Sequence, residues 1–287
     1  MRLVKISREH KFYAFSSNIE PAAYAYPDDI VVFEVNDCFD NQVPFKEGKM
    51  PSLTIDKARV NPATGPLWVE GAKPGMTLIV RILDIKVPGL GLIRKWIIPI
   101  RNGFVKFANM NIPIRPIIGV IGVAPKEGTI SNKYPGDHGG NLDSPDITIG
   151  STVFLPIWTD GGLLGIGDVH AVQGDGEVSG QGLEVPALVT VKISLSPRQL
   201  IPKVIVETPD YISVLASAHT LDDACKDAIE NATKLLQSIK NMGRDEALAL
   251  LSMASDLRIS QVVNPLKTVR LCIPKYVIGS LVEYIKA

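Results

Sequence analysis

The sequence has few cysteines and no net charge. Its three cysteines (Cys38, Cys225 and Cys272) cannot all pair within one chain and form no Cys-x-x-Cys, which indicates a reduced, cytoplasmic protein. Thirty basic and thirty acidic side chains cancel, whereas nucleic-acid-binding proteins usually carry a basic excess. We therefore expect no nucleic acid among its partners.

Long apolar runs are absent as well. No window contains the roughly 18 to 20 uncharged apolar residues that a membrane-spanning helix requires. The first residues, MRLVKISREHKFYAFSS, carry scattered charges without an apolar core, which is not the pattern of a signal peptide. The Gly-x-Ser-x-Gly pattern of a serine nucleophile is missing too. These absences predict a cytoplasmic protein without a membrane partner.

Short apolar runs dominate the chain from about residue 28 to residue 206. Runs such as DIVVFEV and GSTVFLPIW alternate with turn residues, in a chain that has 21 prolines and 24 glycines. This pattern is typical of a β-sandwich or barrel and not of βαβ units. We predict a mainly β protein, in which residues 1–206 form a sandwich or barrel core that carries the site.

Helical periodicity begins after Pro209. Apolar residues recur at helical spacing in TLDDACKDAIENATKLLQSIKNMG, with Thr220 as the expected N-cap and Gly243 as the expected stop. The segment DEALALLSMASD predicts a second helix. Residues 207–287 are therefore predicted to form a C-terminal α+β lobe with two helices.

Polar clusters stand at three predicted strand ends, where a rigid scaffold presents side chains to solvent. They cover residues 36–42, 134–146 and 167–184. In the third cluster Asp168 and His170 are two residues apart and share one face of a strand, and Asp175 and Glu177 do the same. One imidazole with several carboxylates is the ligand set of a hydrolytic zinc site.

The second cluster reads YPGDHGGNLDSPD. Gly139 and Gly140 can take positive φ and let a ligand approach the backbone, so that their N–H groups or the Asn141 amide could donate to an oxyanion. Asp143 could hold His138 in the tautomer that a metal requires. An Asx-rich surface turn explains the same composition equally well, and both interpretations stay open.

Two other interpretations find less support in the residues. Asn141 and Asp143 begin like an EF-hand loop, but Pro145 stands at the fifth position and no helices flank the segment. Cys38 lies beside Asp37, yet a lone cysteine is more often buried filler than a nucleophile. We therefore expect neither an EF-hand nor a cysteine nucleophile.

Several motifs in the sequence resemble the acetamidase/formamidase family. They are HGGNLD, GDVHAVQGDGEVSG and NPATGPLWVEGAKPGMTLIVRILDI, and the likeness extends from DCFDNQ through RPIIGVIGVAP to DLRISQVVNPLKTVRLCIPK. The resemblance implies hydrolysis of short-chain amides to ammonia and a carboxylate. It also implies a β-sandwich core with an additional α+β portion, a bound divalent metal and oligomeric assembly.

The resemblance also implies a set of site residues. The matching positions are Asp37, His138, Gly139, Gly140, Asn141, Asp143, Asp168, His170, Gln173, Asp175, Glu177 and Glu184. The family often has proline where Asp137 stands, so Asp137 is a further candidate ligand. We expect zinc as the divalent metal, with calcium as a candidate second ion.

These residues are assigned to three candidate roles. The candidate metal ligands are Asp37, His138 and His170, followed by Asp168, Asp175 and Asp143. The candidate general base and proton carrier is Glu177 or Glu184. The candidate oxyanion donors are Asn141 and the backbone of Gly139 and Gly140. The sequence thus predicts a homodimeric amidohydrolase that cleaves small linear amides with a metal-activated water.

A calcium-dependent binding module is the alternative function. Calcium prefers carboxylate, carbonyl and amide oxygens, and the same polar clusters are rich in these groups. Such modules usually work outside the cell, and the missing signal peptide argues against this alternative.

Overall fold

Strands make up most of the regular structure, which a computed structural model describes over residues 1–285. Up to Pro113 the strands are β1 (Leu3–Ile6), β2 (Lys11–Phe12), β3 (Ala14–Ser16), β4 (Ala23–Ala25), β5 (Ile30–Val35), β6 (Gly48–Lys49), β7 (Ala63–Val69), β8 (Thr77–Lys86), β9 (Leu90–Ile93), β10 (Trp96–Arg101), β11 (Phe104–Phe107) and β12 (Met110–Pro113). From Ile117 onward they are β13 (Ile117–Gly122), β14 (Thr129–Ser131), β15 (Pro135–Gly136), β16 (Gly139–Asn141), β17 (Thr152–Pro156), β18 (Leu164–His170), β19 (Glu184–Val185), β20 (Ala187–Ser196), β21 (Ile205–Glu207), β22 (Tyr211–Ala218), β23 (Asp256–Gln261) and β24 (Lys267–Pro274). The helices are α1 (Leu221–Lys240), α2 (Arg244–Ala254), α3 (Lys275–Ile278) and α4 (Leu281–Ile285), with one 3-10 turn at Lys57–Arg59.

Two large sheets contain nearly all of these strands. The first has nine strands in the order β1-β5-β20-β8-β17-β21-β22-β24-β23. The second has thirteen strands, and its main path is β12-β11-β10-β9-β19-β18-β13-β16-β15. Strand β7 joins this second sheet through β18 and also pairs with β2 and β4, while β6 pairs with β10. Most neighbours are antiparallel, as short strands joined by tight turns require.

An apolar core lies between the two sheets. Val80 and Val191 of the nine-stranded sheet and Ile118 and Ile166 of the thirteen-stranded sheet belong to one buried cluster. Burying one such side chain contributes about 1.5 to 3 kcal/mol relative to leaving it in water. The prediction of a mainly β, sandwich-like core is therefore confirmed.

The C-terminal helices pack on β22 and β24 around a second apolar cluster. Helix α1 begins as predicted, since the Thr220 hydroxyl accepts the N–H of Asp223. It ends earlier than predicted, because Asn241 takes the left-handed conformation that closes a helix. Gly243, the expected stop, instead precedes α2, where its N–H donates to Glu246.

The boundary at residue 206 falls within β21 of the nine-stranded sheet. This sheet runs from the N-terminal region into the C-terminal lobe without interruption. The first apolar cluster comes mostly from residues before 206 and the second mostly from residues after it. The division into residues 1–206 and 207–287 stays a prediction. Within residues 1–285, no helix is long and apolar enough to cross a bilayer.

Candidate active site

Four neighbouring strands, in the order β19-β18-β13-β16, bring an imidazole and several carboxylates together. His170 ends β18, where it pairs with Glu184 of β19 on one side and with Ile117 of β13 on the other. Asp143 follows β16, which is the other neighbour of β13, and the Asp143 N–H donates to the Gly119 carbonyl. Residues far apart in sequence therefore meet because their strands share one sheet.

We call this group the His170 cluster. Its members are Cys38, Asp143, Asp168, His170, Glu177 and Glu184, which form three overlapping groups of three whose ligand atoms lie within 4.8 Å of one another. All six residues are buried. Burial of so many ionisable groups is costly unless a positive charge compensates them, so the cluster is a candidate cation site.

A glycine on β13, Gly119, leaves space for the side chains of the cluster. Gly119 lies level with Asp168, and a Cβ atom at Gly119 would stand 2.5 Å from Asp143 Oδ1 and 3.0 Å from Asp168 Oδ2. Real Cβ atoms do not approach oxygen so closely. Glycine at this position thus lets two carboxylates face each other across the strand.

Three acids of the cluster have left-handed backbone conformations. The φ angles are 43° at Asp143, 52° at Asp168 and 45° at Glu177. Such angles are uncommon outside glycine and cost free energy that the surrounding structure must offset. Conformations of this kind concentrate at functional sites, because they aim side chains in directions that regular strands do not allow.

The orientation of His170 follows from its hydrogen bonds. Gln173 Nε2 donates to the Asp143 carbonyl at 2.8 Å, which turns Gln173 Oε1 toward His170 Nδ1 at 2.7 Å. Because Oε1 can only accept, Nδ1 carries the proton and the Nε2 lone pair is left for a cation. This arrangement is the one in which metal-bound histidines are usually held.

His170 Nε2 faces two carboxylates. Asp168 Oδ1 lies 3.4 Å and Glu184 Oε2 3.2 Å from this nitrogen. A lone pair and two negative oxygens repel one another, so either a second proton or a cation must lie between them. In the protein without bound ions, burial lowers the pKa of His170, but Glu184 and Asp168 outweigh it and raise that pKa well above its ordinary value.

The pKa values of three carboxyl groups in the cluster are raised as well. Burial and the neighbouring Asp143 raise the pKa of Glu177 to about 9, and burial raises the pKa of Glu184 to about 8. Burial and Asp168 raise the pKa of Asp143 to about 6. Burial and neighbouring carboxylates thus oppose the ionised form of each of these groups, and a cation in the cluster would favour that form.

Unpartnered atoms support the same conclusion. Among the described residues, five buried atoms of the cluster have no hydrogen-bond partner: Asp143 Oδ1, Asp168 Oδ1, His170 Nε2, Glu177 Oε2 and Glu184 Oε2. Buried polar atoms normally find a partner, and five exceptions in one place need a common explanation. One nitrogen and four carboxylate oxygens fit a divalent ion.

Asp37 and Cys38 follow β5, and of the two only Cys38 belongs to the groups of ligand atoms among the described residues. Asp37 Oδ1 accepts the N–H groups of Phe39 and Asn41 at 2.8 and 3.0 Å, whereas its Oδ2 has no partner among the described residues. Burial raises the pKa of Asp37 to about 6. Cys38, expected as core filler, is buried but belongs to one ligand group with Asp168 and Glu184.

Two of the other candidate acids make ion pairs outside the cluster. Asp175 accepts two hydrogen bonds from Arg270 Nη2 at 2.7 and 2.9 Å, and its side chain is 46% exposed. Asp137 pairs with Lys203 at 2.7 Å. Neither carboxylate belongs to the groups of ligand atoms within the described residues, so the structure does not bring Asp175 or Asp137 to His170.

His138 lies apart from the His170 cluster. It stands at the tip of the β15–β16 hairpin, and its carbonyl accepts the N–H of Val123. His170 pairs with Ile117, and the chain between Ile117 and Val123 spans about 20 Å at about 3.3 Å per residue. His138 belongs to none of the groups of ligand atoms found among residues 1–285, so the structure does not unite His138 with His170.

The surroundings of His138 are apolar. Its ring packs edge-on against Phe15 with centroids 5.3 Å apart. Burial lowers the pKa of His138 to about 4, and Nε2 has no partner among the described residues. His138 therefore stays neutral at pH 7.

The candidate oxyanion donors lie in the β-ladder beside His138. Gly139 and Gly140 pair with Gly122 and Ile121 of β13, and Cβ atoms at these positions would collide with the carbonyls of Ile121 and Tyr134. The glycines thus allow a close approach of strands. The role of Asn141 as an oxyanion donor stays a prediction, and its Oδ1 has no partner among the described residues.

Comparison with known protein families finds one that matches most of the chain. Residues 4–112 and 126–279 match the model of the acetamidase/formamidase family. The chain belongs to this family. The resemblance read from the sequence motifs is therefore confirmed.

Solved structures of the family share the whole fold. An acetamidase from Bacillus halodurans is 38% identical, covers 99% of this chain and 100% of its own, and superimposes with a TM-score of 0.91. A predicted acetamidase/formamidase from Thermoanaerobacter tengcongensis is 35% identical over 100% of this chain and 98% of its own, with a TM-score of 0.92.

Curated relatives of the family match over shorter stretches. A formamidase from Methylophilus methylotrophus is 42% identical over 62 residues, which cover 21% of this chain and 15% of that protein. An acetamidase from Mycolicibacterium smegmatis is 24% identical over 62% of this chain and 64% of its own. The chain thus spans less than two thirds of either relative, whose names support an amidohydrolase.

Several residues around the His170 cluster are not predicted by the sequence patterns. Asn264 Nδ2 donates to Asp143 Oδ2 at 2.6 Å, and Asn61 Nδ2 donates to Asp168 Oδ2 at 3.3 Å. Gly182 packs so closely that a Cβ atom there would stand 2.5 Å from the His170 ring. No local signal marks these positions, because their partners are more than 100 residues away or belong to another strand.

Proposed function

We propose that this chain hydrolyses short aliphatic amides, such as formamide and acetamide, to ammonia and a carboxylate, with the help of a bound divalent metal. The observation that carries the proposal is the His170 cluster, in which Gln173 turns a free imidazole nitrogen toward unpartnered buried carboxylates. Membership of the acetamidase/formamidase family supports the same reaction.

The metal ligands in this proposal are buried atoms of the His170 cluster that have no hydrogen-bond partner among the described residues. They are His170 Nε2, Asp168 Oδ1, Glu184 Oε2 and Asp143 Oδ1. When bound, a divalent ion polarises the amide carbonyl and lowers the pKa of water. Zinc is the ion we expect, because the nearby Cys38 thiol and the imidazole are groups that zinc binds and calcium does not favour.

Glu177 is our candidate general base. It belongs to the cluster through His170 and Glu184, and it also lines the adjoining cleft. The ionised form of Glu177, which a cation in the cluster would favour, can accept the proton of an attacking water and deliver a proton to the leaving ammonia, which departs poorly without one. Asn141 and the backbone of Gly139 and Gly140 stay candidate donors to the substrate oxygen.

Ammonia release is the test of the proposal. The purified protein is incubated with formamide and with acetamide, before and after treatment with a chelator and after zinc or calcium is added back. We expect ammonia from the untreated protein, loss of at least about 99% of the rate after chelation, and recovery with zinc. Full activity in metal-free protein would contradict the mechanism, and binding of calcium alone without amide hydrolysis would favour a binding module.

Assembly and location form the rest of the proposal. A homodimer in the cytoplasm is what the sequence predicts, and a molar mass of twice 31.1 kDa in solution is the result expected from light scattering.

A further inference from the structure

An apolar cleft opens beside the His170 cluster. Its volume is about 290 Å³. Its apolar lining comes mainly from β9 to β12 and from the segment after β18: Ile93, Ile98, Val105, Phe107, Ile112 and Val172. Cavities lined in this way bind apolar groups, and a few polar residues at one end then set the orientation of the ligand.

The polar end of the cleft is the cluster itself. Gln173, which orients His170, and Glu177, which belongs to the cluster, both line the cleft. Gly182 lines it too, and the His170 ring lies directly behind this glycine. A molecule in the cleft is therefore in contact with the groups that we propose for the chemistry.

The cleft is large for the small amides named above. A water molecule takes about 30 Å³ of liquid, and acetamide is only a few times larger. Neither formamide nor acetamide can cover the apolar lining supplied by the β9 to β12 strands. In a substrate that releases ammonia, only the acyl side can carry an apolar group, since the nitrogen bears no substituent.

We propose that the cleft binds the acyl chain of the substrate, and that the preferred substrates are primary amides with an aliphatic or alicyclic chain of about four to six carbons. The inference rests on the proposed amide hydrolysis and specifies its substrate class. The reaction is balanced as RCONH₂ plus water giving RCOO⁻ and NH₄⁺: the C–N bond breaks, a C–O bond forms, and the proton lost by the acid goes to ammonia.

Chain length is the first measurement. Ammonia release is followed for acetamide, butyramide, hexanamide and cyclohexanecarboxamide with the purified holoenzyme. We expect kcat/KM to rise about fourfold for each added methylene up to hexanamide, which is the gain from burying one methylene group. A series in which acetamide has the highest kcat/KM would overturn the inference but leave amide hydrolysis standing.

The second measurement uses a variant in which a larger side chain fills the cleft. Ile112 is half-buried on an edge strand, so Ile112→Trp places a large ring in the cleft without disturbing the main core. We expect kcat/KM for hexanamide to fall about tenfold or more and that for acetamide to change less than about threefold. The control is Ile229→Trp, the same substitution at an exposed isoleucine of α1 that lies outside the cleft.

The outcomes separate the inference from the proposed function. An equal loss for both amides in Ile112→Trp would mean that the ring disturbs the cluster and that the cleft does not select chain length, which contradicts the inference. If no amide releases ammonia, the proposed function is wrong. Hexanamide then stays intact, and its binding can be measured by ligand-observed NMR. Hexanamide that binds more tightly than acetamide, and less tightly to Ile112→Trp, supports an apolar site for the acyl chain. Equal binding of the two amides overturns the inference.

Discussion

Two buried histidines of this protein have opposite surroundings. His138 and His170 are 2% and 1% exposed, and each has an Nε2 atom without a hydrogen-bond partner among the described residues. His138 packs against Phe15, and burial lowers its pKa to about 4. The carboxylates of Glu184 and Asp168 overcome burial at His170 and raise the pKa of that imidazole well above its ordinary value.

The comparison teaches that burial alone does not make a metal ligand. Both histidines occur in glycine- and aspartate-rich motifs that match one family, and the sequence favours both equally. Among the residues that the structure describes, Gln173 orients the His170 ring and two carboxylates face it, whereas no such contacts are made by the His138 side chain. Charge and orientation, and not residue type, therefore distinguish the two.

Metal content is where we expect the largest difference. His170→Ala removes an imidazole nitrogen that faces Asp168 and Glu184, so we expect metal affinity to fall by at least about 100-fold and amide hydrolysis to fall with it. His138→Ala is expected to keep its metal. The measurement is metal stoichiometry by mass spectrometry after dialysis of both variants. Equal loss of metal in the two variants would show that both histidines serve one ion.

Acid stability should distinguish the two histidines next. Below its ordinary pKa of 6.5 the unfolded chain binds a proton at His138, but the folded chain does so only near the lowered pKa of about 4. Stability therefore falls as the pH decreases from about 6.5 to about 4, by up to about 3 kcal/mol from this residue. The measurement is urea unfolding at pH 7 and pH 5.

Replacing His138 sharpens this prediction. His138→Phe removes the titrating group and should flatten the decrease between pH 7 and pH 5, whereas His219→Phe, at an exposed position, should leave it as in the unmodified protein. An identical pH profile in the His138 variant would show that this imidazole is not buried in its neutral form.

Substitutions at two glycines, one beside each histidine, are expected to give the smallest difference, which is in the free energy of unfolding. A Cβ atom at Gly182 would stand 2.5 Å from the His170 ring, and one at Gly136 would stand 3.1 Å from His138 Nδ1. Gly182→Ala must displace a ring that is held among carboxylates, so we expect it to lower the free energy of unfolding by about 2 kcal/mol. Gly136→Ala should cost less than about 1 kcal/mol, and chemical denaturation of the matched pair measures both. A larger cost for Gly136→Ala would reverse the comparison.

Local patterns predicted much of the fold. Short apolar runs separated by glycine and proline predicted the sandwich-like core, and the apolar spacing after Thr220 predicted α1. The end of that helix was missed by a few residues, because Asn241 closes it as effectively as glycine would. The motif around residue 170 contained two members of the cluster, Asp168 and His170, which both lie on β18.

Long-range contacts account for what could not be predicted. Asn264 reaches Asp143 from the C-terminal lobe, and the Arg270–Asp175 ion pair holds the segment that carries Glu177. Cys38 enters the cluster from the end of β5. None of these contacts has a sequence spacing that signals it, since each depends on the order of strands in the sheets.

By itself, the sequence determined the strand and helix pattern, the family and the chemical types that the site would contain. A side chain's face on a strand follows from a two-residue period, and a motif follows from the order of residues, so both can be read locally. The tertiary structure decided that His170, and not His138, meets the carboxylates, and that an apolar cleft adjoins them. Those outcomes depend on the strand register across β13, β16 and β18. The register sets the distances between the charged groups and their burial, and burial strengthens the interaction between charges.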